Sequence, residues 1–66
     1  MITAESLLLE MQSFVNVPST IIAEARTTGM NTDNSPEFAE IVEGWSEGRY
    51  DEDPDYVVTE IDQLLD

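Results

Sequence analysis

The chain has 66 residues, and its 15 acids face only two basic residues, for a net charge of −13. Neither histidine nor cysteine is present, which excludes a disulfide framework, a structural zinc site and imidazole-based catalysis. With 41% apolar residues the chain is too hydrophobic for a disordered acidic tail, and we therefore expect one folded domain. Its length is near the lower limit at which a domain forms a core without cross-links.

We expect no targeting signal in the N-terminal segment. Residues 1–15 lack a basic start and have no strongly apolar run longer than Leu7–Leu9, whereas a signal peptide or a membrane span needs a longer one. We therefore expect a cytoplasmic protein that does not enter a membrane. Direct binding to nucleic acid is disfavoured because the phosphates would be repelled.

The first predicted helix covers residues 4–15. Thr3 is a suitable N-cap, and the residue before Pro18 avoids the helical conformation, which predicts the end of the helix. Apolar side chains recur at helical spacing along it: Leu7, Leu8, Met11, Phe14 and Val15.

A second helix is predicted over residues 19–28, capped by Ser19 and closed by Gly29. The two helices follow each other as in a helix–turn–helix motif. A DNA-recognition helix needs basic side chains, and this one has only Arg26. We interpret the pair as a helical hairpin without a role in DNA binding.

A short repeat marks the starts of two further helices. Ser35-Pro36-Glu37-Phe38 and Asp53-Pro54-Asp55-Tyr56 both read as cap residue, proline, acid and aromatic, an order typical of helix N-termini. They predict a third helix over residues 36–47, ending at Gly48, and a fourth over residues 54–65. The sequence thus predicts an all-α fold, a small bundle of three to four helices in a single domain.

The third helix separates apolar from acidic residues. Phe38, Ile41, Val42 and Trp45 share one face, which should be the core face. The opposite side carries four glutamates three or four positions apart, here called the acidic ridge: Glu37, Glu40, Glu43 and Glu47.

The fourth helix and the loop before it add further acids. An apolar stripe runs along the helix through Val57, Val58, Ile61, Leu64 and Leu65, with Asp55, Asp62 and Asp66 on the other side. Four carboxylates lie between Tyr50 and Tyr56 in sequence: Asp51, Glu52, Asp53 and Asp55. Each tyrosine is interpreted either as an exposed anchor for a partner or as a lid on the core.

Catalysis and calcium binding both find weak support in the residues. No histidine or lysine is available to activate a hydroxyl nucleophile, and we expect no enzyme and no cofactor. Asp51, Asp53 and Asp55 occupy positions one, three and five of a calcium-loop register that closes on Asp62. Its sixth position is Tyr56, where an EF-hand requires glycine. A calcium-binding domain is therefore only a lesser alternative.

The chain resembles small DNA-mimic inhibitors in its size and in its excess of acids over bases. It also shares with them acidic elements, here Glu37 to Glu47 and Asp51 to Asp55. Many such inhibitors are phage-encoded and block restriction, CRISPR or other nucleic-acid-binding machinery. The resemblance implies occupation of a Lys/Arg-lined channel in the host bacterial cytoplasm, without turnover. The partner would be a basic nucleic-acid-binding protein or complex.

Other interpretations of the same composition remain open. The acids could serve solubility or reflect a halophilic source, and residues 53–66 could be an acidic docking segment that folds on binding. An acidic adaptor or antitoxin-like protein would instead bind a basic partner through the apolar hairpin. The sequence is compatible with a monomer and with a homodimer.

Overall fold

Four helices form the fold in the computed structural model, which describes all 66 residues. They are α1 (Ala4–Met11), α2 (Ser19–Thr28), α3 (Pro36–Ser46) and α4 (Asp55–Leu65). The predicted all-α fold is confirmed, with four helices rather than three. None of the helices combines the length and the apolar character that a membrane crossing demands.

Three of the predicted helix boundaries rest on the expected capping groups. The Thr3 hydroxyl accepts a hydrogen bond from the Ser6 amide at 3.0 Å, and the Ser35 hydroxyl accepts one from the Phe38 amide at 3.2 Å. Gly29 closes α2 with a φ of +68°, a left-handed conformation in which glycine has no steric penalty. These local interactions explain why sequence patterns located the boundaries.

Two predicted side-chain caps are wrong. Pro18, not Ser19, precedes α2, and no side chain caps that helix. At α4 the predicted cap Asp53 offers its backbone carbonyl to the Tyr56 amide at 3.2 Å, and Pro54 becomes the residue before the helix. Backbone carbonyls therefore close the first turns of α2 and α4, and the two halves of the sequence repeat are not structurally equivalent.

The first helix is shorter than predicted, ending at Met11 and not at residue 15. The Met11 carbonyl accepts from both the Phe14 amide (3.0 Å) and the Val15 amide (2.9 Å), which tightens the chain into a turn. Val15 is buried by this turn, whereas Phe14, predicted to face inward, is 57% exposed. Its ring stacks on that of Trp45 at a centroid distance of 5.8 Å.

One core holds the helices together. Helix α1 packs on α2, and α4 lies between α2 and α3, contacting both. Phe38 and Ile61 are fully buried, as the apolar faces of α3 and α4 predicted. The core comprises 14 buried residues: Ala4, Leu7, Leu8, Met11, Val15, Val17, Ile22, Ala25, Met30, Phe38, Ile41, Val57, Val58 and Ile61.

The N-terminus forms backbone hydrogen bonds with the loop between α2 and α3. Thr3 and Asn31 form an isolated antiparallel bridge, in which the Ala4 amide donates to the Met30 carbonyl at 2.9 Å and the Thr32 amide to the Ile2 carbonyl at 2.9 Å. This bridge ties the end of α2 to the start of α1 and so fixes the point from which α3 departs.

Candidate functional site

The acidic ridge lies on the exposed face of α3. All four of its glutamates are exposed, and Glu47 alone has a basic partner, the Arg49 guanidinium at 2.9 Å. The second arginine, Arg26, is bound to Glu5 at 2.6 Å. With both arginines paired, thirteen of the 15 acids have no ion-pair partner within the chain.

Two ridge residues, Glu37 and Glu40, also line a cleft between α3 and α4. This α3–α4 cleft has a volume of about 520 Å³, within the range of about 300–1,000 Å³ typical of ligand sites. Across from the ridge, α4 contributes residues at helical spacing. The full lining is Glu37, Glu40, Ile41, Arg49, Tyr50, Tyr56, Glu60, Gln63 and Leu64.

Tyr50 and Tyr56 meet in the cleft, with ring centroids 5.3 Å apart and ring planes inclined by 32°. Tyr50 is half-buried against the core, and α3 makes room for it at Gly44, where an added Cβ would lie 2.8 Å from the Tyr50 Cε2 atom. Tyr56 is 45% exposed, and its hydroxyl donates to Glu60 Oε1 at 3.0 Å. Of the two interpretations, Tyr50 therefore acts as a lid on the core and Tyr56 as an exposed ring.

Two side chains of the cleft have raised pKa values. Hydrogen bonding of the Tyr56 hydroxyl to the Glu60 carboxylate, together with its negative charge, raises the pKa of Tyr56 above its ordinary value. The pKa of Arg49 is raised by its interaction with the Tyr50 side chain and by the negative charge of Glu47. In both cases hydrogen bonding raises the pKa most, and the negative charge of a neighbouring glutamate raises it further.

The remaining predicted partner-binding residues lie outside the cleft. Glu43 is exposed on α3, one turn beyond Glu40. Three acids of the loop before α4 and the first residue of that helix are exposed and do not line the cleft: Asp51, Glu52, Asp53 and Asp55. Of the predicted set, the structure therefore brings Glu37, Glu40, Tyr50 and Tyr56 together in the cleft. The other predicted residues lie on the surface outside it.

The calcium-loop register does not form. Helix α4 begins at Asp55, so positions five to twelve of that register lie in a regular helix and cannot wrap around an ion. The closing residue, Asp62, points elsewhere: its carboxylate lies with those of Glu24 and Asp66, all three having oxygens within 4.8 Å of one another. The acids predicted to share one ion are therefore separated.

Glu60, Arg49 and Gly44 belong to the site but were not singled out from the sequence. The four-residue spacing of Tyr56 and Glu60 could have indicated their contact, since residues four apart are neighbours on a helix. Nothing in the sequence pattern indicated that Gly44 would seat a tyrosine from a later loop, because that contact depends on the path of the chain after α3.

Neither a protein-family model nor a curated protein or solved structure matches this chain significantly. Exposed carboxylates and a phenol ring offer ion pairs, hydrogen bonds and ring stacking, all of which suit a cationic ligand.

Proposed function

We propose that the protein is a non-enzymatic inhibitor that imitates the charge of a nucleic acid. It would occupy a Lys/Arg-lined DNA- or RNA-binding surface of a target protein, in the manner of anti-CRISPR or anti-restriction proteins. The observation that carries this proposal is the set of thirteen carboxylates without an ion-pair partner on a folded scaffold.

The ridge supplies charges at a spacing that suits a phosphate-binding groove. Glu37, Glu40 and Glu43 succeed one another every three residues, which corresponds to about 4.5 Å along a helix axis. Phosphates follow one another on a DNA strand at about 3.4 Å of axial rise. Because the core fixes α3, the backbone positions of these glutamates are set before binding, which lowers the entropy cost of association.

Self-repulsion of the free protein favours such a complex. Like-charged residues three apart on a helix destabilise it, and no base within the ridge relieves the first three glutamates. A basic surface on a partner would neutralise them and release the ions condensed on both surfaces, as happens when proteins bind DNA. Binding should then weaken steeply as salt is added.

A pull-down with charge-matched variants tests the proposal. The ridge variant replaces Glu37, Glu40 and Glu43 by Gln, and the control variant carries Glu10→Gln, Glu24→Gln and Asp33→Asn. Both change the net charge equally. We expect the wild type and the control to retain from a bacterial lysate the same nucleic-acid-binding protein, which salt or duplex DNA elutes, and the ridge variant to lose it. Equal retention by all three proteins would contradict a role for the ridge.

A groove between α1 and α2 favours the adaptor as a second candidate function. The groove has a volume of about 480 Å³, and its lining combines three apolar residues, Leu9, Ile22 and Ala23, with the polar residues Gln12, Ser19, Thr20 and Arg26. Leu9 is 47% exposed, so this side offers apolar area where acids are few. An adaptor bound here would tolerate salt and would lose its partner on Leu9→Ser substitution, whereas the charge mimic would keep it.

A further inference from the structure

The α3–α4 cleft differs in composition from the rest of the acidic surface. Three carboxylates (Glu37, Glu40 and Glu60) and one guanidinium line it, along with two tyrosine rings. The carboxylates are drawn from two helices and therefore face a shared space, whereas ridge residues such as Glu43 point only outward. A ligand in the cleft would meet negative charge and an aromatic surface at once.

We propose that the cleft binds the guanidinium of one arginine side chain of the partner, stacked on Tyr56 and paired with Glu40 and Glu60. This inference rests on the proposed function and names the residue type that the electrostatic surface would anchor. Charge complementarity determines the sign of the occupant, since the lining is acidic in excess. The aromatic ring selects among cations, because arginine is planar, weakly hydrated and stacks on rings, whereas lysine is a compact and strongly hydrated charge.

The geometry of Tyr56 suits this role. Its ring is 45% exposed, and Tyr50, 5.3 Å away between ring centroids, supports it from the core side. The hydrogen bond from its hydroxyl to Glu60 at 3.0 Å holds the ring and the carboxylate side by side. A guanidinium stacked on the ring would therefore lie close to this carboxylate.

Arg49 shows that a guanidinium is compatible with this environment. It lines the cleft together with Tyr50 and pairs with Glu47 at 2.9 Å. Its charge nevertheless opposes the entry of a second cation. Removing it should therefore strengthen arginine binding, whereas an anionic ligand would depend on it.

The experiment is an NMR titration of the isotopically labelled full chain with N-acetyl-arginine amide, and in parallel with N-acetyl-lysine amide. We expect arginine to shift the Tyr56 ring and Glu60 resonances and to bind more tightly than lysine. Tyr56→Ala should weaken arginine binding about two- to fivefold, as expected for an exposed cation–π contact. Tyr56→Phe, which keeps the ring, should bind within about twofold of the wild type, and Arg49→Ala should bind more tightly.

Three results would overturn the arginine site. One is an equal shift of all acidic residues by both amides, which indicates unspecific ion condensation. Another is an unchanged affinity in Tyr56→Ala with circular dichroism showing a folded chain. The third is weaker binding of N-acetyl-arginine amide to Arg49→Ala, because two guanidinium groups sharing the cleft should repel each other.

The same variants separate failure of this site from failure of the proposed function. If the pulled-down target is lost by the ridge variant but bound equally by Tyr56→Ala, charge mimicry stands and the arginine site is wrong. If the target is kept by the ridge variant, charge mimicry itself is wrong, whatever the amides show.

Discussion

Replacing Glu40 by Gln should stabilise the free protein. Glu40 has like-charged neighbours three residues away on both sides, Glu37 and Glu43, and no basic partner. Each such pair destabilises a helix by about 0.2–0.5 kcal/mol, so removing both should add about 0.4–1 kcal/mol to the free energy of unfolding. Glu and Gln have similar helix propensities, and the charge therefore accounts for the whole effect.

Glu47→Gln is the matched control on the same helix. It relieves one repulsion with Glu43 but also removes the ion pair with Arg49, which at an exposed site contributes about 0–1 kcal/mol. The two effects oppose each other, and we expect a net change in the free energy of unfolding between about −0.8 and +0.5 kcal/mol.

Thermal unfolding followed by circular dichroism at low salt measures both changes. For a domain of this size Glu40→Gln should raise the melting temperature by about 2–8 °C. The gain should shrink in 1 M salt, where the Debye length falls to about 3 Å. A lower melting temperature than the wild type at low salt would mean that Glu40 is paired within the fold, and the assignment of a ridge without partners would be refuted.

Three further changes test the packing around the site. Phe14→Ala should lower stability by about 1 kcal/mol in denaturant unfolding, since the exposed ring loses mainly a stacking contact; a cost of 3–5 kcal/mol would indicate a buried ring. Gly44→Ala should destabilise by about 1 kcal/mol and displace the Tyr50 ring, because overpacking outweighs the gain in helix propensity; a more stable variant would contradict that contact. The neutral form of Tyr56 is favoured in the fold, so its stabilisation is present below pH 10 and is lost as pH rises through the raised pKa. Ultraviolet titration should show that Glu60→Gln lowers the pKa of Tyr56 toward its ordinary value, and an unchanged pKa would contradict the hydrogen bond.

The sequence predicted those parts of the fold that depend on neighbours along the chain. The caps Thr3 and Ser35 and the terminator Gly29 act within three or four residues, and each was located correctly. The end of α1 was misplaced because the apolar pattern continues through Phe14, although the chain turns at Met11. The spacing of apolar residues does not show where the backbone hydrogen bonds of a helix give way to those of a turn.

The candidate site likewise has a part that was predictable from the sequence and a part that was not. The ridge was predictable because it follows from residue spacing on one helix. The α3–α4 cleft was not, because it requires α4 to lie beside α3 with Glu60 facing Glu40. The acids of α4 lie on two sides of that helix, with Glu60 toward α3 and Asp62 toward Glu24 of α2. This arrangement likewise depends on the position of α4 between its neighbours.

In the proposed charge mimicry, carboxylates without partners in this chain take the place of phosphates on a basic surface. Fluorescence anisotropy of a labelled duplex bound to the captured target tests it directly. The wild type should displace the duplex completely as it saturates the target, and the variant lacking the charges of Glu37, Glu40 and Glu43 should require a much higher concentration. A target that binds this protein and the duplex at the same time would contradict the claim.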